Sequence, residues 1–312
     1  MGGCCDDRGF GRDSGVTSGE VRDHGTNRQK RSVAQRIAFV VLGIGSLFGF
    51  FFLGFILYWI IRQGAPALSW QFLTDVPRKM ATEGGIAPMI VGSIYLTAGA
   101  LLVAMPFALG SAIWLSEYAW KGWWVRAIRI GVNTLAGVPS IVFGLVGLGL
   151  FVYALDFGVS LLSGACTLAM LTLPILIRAS EEALRAVPRS FREGSLALGA
   201  TRWHMIRTVV LPSALPGILT GSVLGMARAI GETAPIMFTA TAFLLTQPYP
   251  HSLFDKVSTL PYHLYALVQF NPHYNETKHI QYGIVLVLMI VVTLLNMTAI
   301  VWRIRARRSK AW

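Results

Sequence analysis

The chain has 312 residues, of which 54% are hydrophobic and only 13% charged. Soluble domains carry roughly 25% charged residues, so this composition excludes an ordinary soluble enzyme and points to a membrane protein. The formal charge of +12 leaves nucleic acid, an anionic membrane surface or an anionic substrate as partners, and only the placement of the basic residues separates them.

Residues 1–36 are polar, glycine-rich and without apolar periodicity, and they read as a disordered tail. The apolar run behind them is too long for a signal peptide. Met1 to Asp6 only half matches a lipidation signal, because Asp6 stands where a hydroxyl residue is required. Cys4, Cys5 and Cys166 form neither a zinc nor a disulfide pattern. Six apolar stretches follow, at 37–61, 88–116, 130–155, 159–177, 214–246 and 283–302. Each has the roughly 20 residues that cross a bilayer, and none shows the alternation of a barrel strand. The expected fold is therefore all-α, a polytopic protein with six transmembrane helices. The expected divisions are a tail (1–36), a first helix with its outer connection (37–87), a membrane core (88–302) and a basic tail (303–312).

Six crossings put both termini on one side. With the N-terminus inside, 21 of the 27 Lys and Arg fall on the inner side, five on the outer side and one, Arg228, inside a span. This asymmetry orients both termini toward the cytoplasm and removes nucleic acid from the partners. Tyr58, Trp59, Trp120, Trp123, Trp124, Tyr282 and Trp302 lie near span ends, where aromatic rings favour the interface. The outer connection 247–282 carries His251, His263, His273 and His279. Their spacing makes no helical ligand pair, so no metal is expected, and the connection reads as a structured loop that touches another protein.

The inner connection 178–213 is the most informative soluble stretch. Glu181 and Arg185 have the spacing of a helical ion pair. After Pro188 the sequence reads as a short helix, a turn at Gly199 and a second helix ending before Pro212. By spacing alone this is a solvated amphipathic cap or a docking element. Within the fifth stretch, Arg228 lies roughly 21 Å along a helix from Ala214, well inside the hydrocarbon, with Glu232 four residues on. The pair either pins helix packing or serves function. A buried ion pair stabilises poorly compared with apolar packing, which favours function. Arginine stays charged when desolvated, and its planar fork fits a tetrahedral oxyanion. Gly225, Ala227, Ala229, Gly231 and Ala234 clear space beside it, and Pro235 is expected to kink the helix. Glu232 would offset Arg228 when the path is empty, or take a proton from the anion.

Glu193, Gly199 and Leu211-Pro212 are spaced as in the EAA loop that the permeases of ABC importers use to dock their ATPase, with Glu193-Gly194-Ser195 in place of Glu-Ala-Ala. Four blocks resemble the permeases of high-affinity phosphate importers: 116–119 (SEYA), 136–145 (AGVPSIVFGL), 181–188 (EEALRAVP) and 227–235 (ARAIGETAP). The likeness runs from about residue 37 to 302. It is nearer the PstA-type than the PstC-type subunit. It implies a type I ABC importer permease fold in the bacterial inner membrane. It also implies a paralogous permease subunit, two ATP-binding subunits and an extracytoplasmic phosphate-binding protein as partners. Arg228, Glu232, Thr233 and Arg178 would then line the substrate path, Arg178 late in transit or else as an interface anchor. Glu193, Gly199, Ala200, Leu211 and Pro212 would couple the permease to the ATPase. No Walker motif occurs, so ATP hydrolysis is expected from a partner, and no cofactor is expected. No esterase or zinc-protease motif supports a membrane hydrolase. A permease for molybdate or phosphonate, or a phosphate-sensing scaffold, would share these features.

Overall fold

The computed structural model describes residues 20–78, 84–120, 122–241, 248–270 and 277–308, with side chains between 35 and 305. Residues 1–19 and 309–312 of the two expected tails lie outside the described residues. So do residues 242–247, at the end of the fifth apolar stretch, and His273. The chain divides into two compact units, residues 1–59 and 60–312.

Most of α1 (Glu20–Gly64) makes up the first unit. It starts upstream of the apolar stretch, so part of the expected tail is helical. From Ile37 its large apolar side chains face outward on every side, as suits a helix whose solvent is lipid.

In the second unit, α2 (Trp70–Thr74) is followed by α3 (Ala87–Ile113), which runs on through a π-turn to Tyr118. Next come α4 (Trp123–Leu135) and α5 (Ser140–Gly147), the latter extended through a π-turn to Ala154. The long α6 (Leu161–Arg185) leads to α7 (Arg189–Ala197). A short α8 (Arg202–Met205) runs through a π-turn into α9 (Leu211–Ile230). The remainder is α10 (Ala234–Thr239), α11 (Leu260–Phe270) and α12 (Lys278–Arg308). Among the described residues, five rods are long and apolar enough to cross a membrane, and the bent pair α4–α5 makes a sixth if it crosses as one.

Three expectations are corrected. The stretch 130–155 is not one helix: α4 and α5 meet at 100°. Pro139 has no N–H to donate and holds Val138 out of the helical region, while Gly137 adds freedom. The stretch 214–246 is not one helix either. The rod begins at Arg202 and ends at Ile230, and Gly231 to Thr233 interrupt it before α10. Nor does the second helix of the inner connection end before Pro212; it continues through it. Leu211 N bonds Ile206 O across the π-turn, so the proline's missing donor falls where the hydrogen-bond pattern has already shifted.

The core is close-packed by small residues. Along α9, a Cβ added at Gly217 or Gly221 would lie 2.6 or 2.5 Å from the Cβ of Ala183 or Ala179 on α6. These contacts run in opposite directions along the two helices, so they are antiparallel, with backbones in close approach as in membrane bundles. Hydroxyls inside the bundle bond to their own helix: Thr97 to Ser93 O, Thr167 to Ser163 O and Thr172 to Leu168 O. Arg303 of α12 donates to Thr220 of α9 at 3.2 Å. The C-terminal end of α6 meets the start of α9 in the cluster of Leu184, Ile206, Val210 and Ala214, at the basic end of the bundle, and Arg303 brings the last turns of α12 to the middle of α9. The opposite end is closed by residues 253–260. Leu161 N and Leu162 N donate to Asp255 O and Leu253 O, and Leu260 N donates to Ser93 Oγ.

Candidate functional site

Arg228 sits in the last turn of α9, and Glu232 in the interruption beyond it. The two still meet, with Arg228 Nε 3.5 Å from Glu232 Oε1. The contact is loose, and Nε is a buried donor with no hydrogen-bond partner. Its side chain is 37% exposed and that of Glu232 16%, so the guanidinium opens to a space that the carboxylate borders. Thr233 precedes α10 without capping it. Ala229, Ile236, Phe143 and Val138 share one apolar cluster. The interruption of the fifth span and the bend of the third thus adjoin the same core. Discontinuous helices of this kind leave backbone and charge free beside a cavity in transport proteins.

No contact brings Arg178 to Arg228. Arg178 lines a separate cleft of about 150 Å³ at the basic end, with Arg129, Asn133, Glu181, Glu182 and Arg185. There Glu181 bonds Arg129 at 3.0 Å and Arg185 at 2.8 Å. The helical pair read from the sequence is present, and Arg129 of α4 joins it.

The inner connection is a helix–turn–helix. Gly199 has φ +81°. Gly199 N bonds Leu196 O at 3.0 Å and Ala200 N bonds Ser195 O at 3.3 Å, the paired bonds of a Schellman motif. Nothing lies within 4 Å of a Cβ at Gly199, so the glycine is there for the turn and not for close approach. Thr201 caps the next helix by accepting from His204 N. Glu193 is exposed on α7, Leu211 packs half-buried against the cluster of Leu184, Met205, Ile206 and Val210, and Pro212 is half-buried.

Residues 104–306 match the family described as the binding-protein-dependent transport system inner membrane component. The chain belongs to this family. The permease is 34% identical over 274 residues to the phosphate transport system permease protein PstA of Yersinia pestis, across 86% of this chain and 90% of that one. It is 36% identical over 217 residues to the probable ABC transporter permease protein YqgI of Bacillus subtilis (strain 168), across 66% and 74%. Among solved structures, a bacterial ABC transporter that imports alginate matches with a TM-score of 0.63 at 13% identity, covering 89% of this chain and 99% of that one. The inward-facing MetNI methionine ABC transporter matches with a TM-score of 0.56 at 18% identity, covering 70% and 96%. These likenesses establish the fold, that of a type I ABC importer permease, in a multi-pass inner-membrane transport component.

Sequence reasoning missed two elements of the permease. Glu117, quoted only within a motif, is buried against Arg192 of α7. A charge beside the apolar end of α3 was the signal available for it. His263 sits on α11, 4% exposed, with Nε2 unpartnered. It belongs to a packed element, not to a surface loop. Among the described residues, no three His, Cys, Asp or Glu side chains converge as metal ligands.

Proposed function

We infer that the chain is the membrane-spanning permease subunit of an ATP-driven importer of inorganic phosphate, of the PstA type. The observation that carries this reading is Arg228: a guanidinium at the end of an interrupted helix, with a buried Nε donor that has no hydrogen-bond partner. A desolvated cation with open donors favours a tetrahedral oxyanion, and Glu232 beside it keeps the anion from being held. The named relatives favour phosphate among such anions. Thr233 borders the path, and Arg178 meets the anion late, at the basic end.

The partners follow from this reading. Glu193, Gly199, Ala200, Leu211 and Pro212 form or brace the docking element for an ATP-binding subunit, which supplies hydrolysis. A paralogous permease completes the pore, two ATP-binding subunits drive it, and an extracytoplasmic binding protein delivers phosphate to the end closed by residues 253–260. The basic end and both termini face the cytoplasm.

The test is ATP-driven phosphate uptake by the reconstituted complex. Arg228→Ala is expected to lower uptake by a factor of at least about 100, as befits losing a charged pairing worth roughly 3 kcal/mol. Uptake at the wild-type rate would remove Arg228 from the path.

A further inference from the structure

One side chain fastens α7 to the bundle at four points. Arg192 Nη2 lies 2.8 Å from Glu117 Oε1 and Nε lies 3.2 Å from Oε2, a bidentate fork. The same guanidinium donates to Leu184 O at 2.7 Å and to Val187 O, carbonyls at and just past the end of α6. Both side chains are well enclosed, Glu117 at 7% and Arg192 at 18% exposure. By contrast α7 buries none of its own residues, and only Ala186, Val187 and Pro188 join it to α6.

We propose that Glu117 is a positioning residue, which clasps α7 to the ends of α3 and α6 so that the three move as one body. The proposal rests on the reading of α7 as the element that docks the ATP-binding subunit. A push on α7 is then delivered to α3 and α6 and not absorbed in the linker. Bidentate charge-assisted bonds fix direction as well as distance. Opening a buried pair strands a charge, so the clasp holds through the cycle, whereas an exposed pair would yield. Beyond Glu117, Ala104, Ala108 and Ala112 pack fully buried along α3, and Ala104 and Ala108 share a cluster with Leu176 of α6. Movement at the clasp therefore reaches the middle of the bundle.

The experiment uses the full complex in liposomes and reads phosphate moved per ATP hydrolysed. Glu117→Gln keeps the volume and removes the charge. The ATP-binding subunit is expected to stay bound and active while phosphate moved per ATP falls roughly tenfold, within the usual range of coupling between sites. Simple loss of folded protein would lower both activities together and leave the ratio unchanged. A wild-type ratio in Glu117→Gln overturns the proposal. If that variant does not assemble, spin labels decide with the clasp intact, placed by Ser190→Cys on α7 and Trp114→Cys at the end of α3. Their separation is expected to stay constant between nucleotide-free and ATP-bound complexes. A change of about 5 Å, near one helical turn, would overturn the clasp. A wild-type complex that hydrolyses ATP but moves no phosphate would overturn the substrate reading, and the label distances would still test the clasp.

Discussion

Arg228 and His263 show two fates of a polar side chain in an apolar surrounding. Arg228 keeps a carboxylate at 3.5 Å and leaves its buried Nε donor without a hydrogen-bond partner. His263 has no carboxylate, and burial pushes its pKa down to about 4 from the usual 6.5. Ser258 Oγ and Thr259 Oγ1, close in the chain, are likewise buried without partners. Because the folded state refuses a proton that the unfolded chain accepts, the folded form has its full advantage above pH 6.5. That advantage fades as the pH falls toward 4, by roughly 3 kcal/mol over the window. The melting temperature in detergent is expected to drop between pH 7 and 4.5 for the wild type and much less for His263→Met. Equal drops would show that His263 does not set the acid limit. The charge of Arg228 was legible in the sequence because a lone arginine in an apolar run stands out. The isolation of His263 was not, since nothing local separates a buried histidine from a surface one.

Among the elements, the helix–turn–helix was the most legible. Gly199 announced a turn, and the structure assigns it the left-handed position of a Schellman motif. Substitution there is governed by backbone strain, because open space surrounds the position. Gly199→Val is expected to weaken retention of the ATP-binding subunit through strain of about 1–2 kcal/mol, while Gly199→Asn, which tolerates positive φ, is expected to keep it. Co-purification of that subunit with each variant measures this. Equal retention by both variants would contradict it. The interruptions at 136–139 and 231–233 were harder to read. Apolar composition is the same on both sides of each break, and a proline inside a membrane helix does not always interrupt it. Pro106 and Pro174 sit within α3 and α6, whose helices continue. Which proline breaks a helix depends on whether neighbours occupy the bend, as the close approach of Pro235 to Gly144 illustrates.

For the whole molecule, the basic residues already told which helix ends belong together. The structure joins those ends with Arg303 to Thr220, Arg192 to Glu117 and Arg129 to Glu181. With single cysteines in a cysteine-free background, Ser252→Cys is expected to react with an impermeant thiol reagent in intact cells, and Ser190→Cys only after permeabilisation. The reverse pattern would invert the topology. The expected six crossings require the bent pair α4–α5 to cross as one span. Its 100° angle follows from the break at Pro139, whereas the contact of Glu117 with Arg192 joins segments 75 residues apart, where no local pattern reaches.

On the importer reading, the interrupted fifth span also limits how long an anion lingers. Helix α9 ends at Ile230, two residues before Glu232, and a helix C-terminus carries about half a negative charge. On that reading, repulsion from both counters the pull of Arg228, and the spot is a shallow well. A route with no deep minimum releases its cargo quickly and discriminates little. On the importer reading, selectivity is therefore divided by time: capture happens before the membrane is reached, and within the bundle the ion is only hurried through.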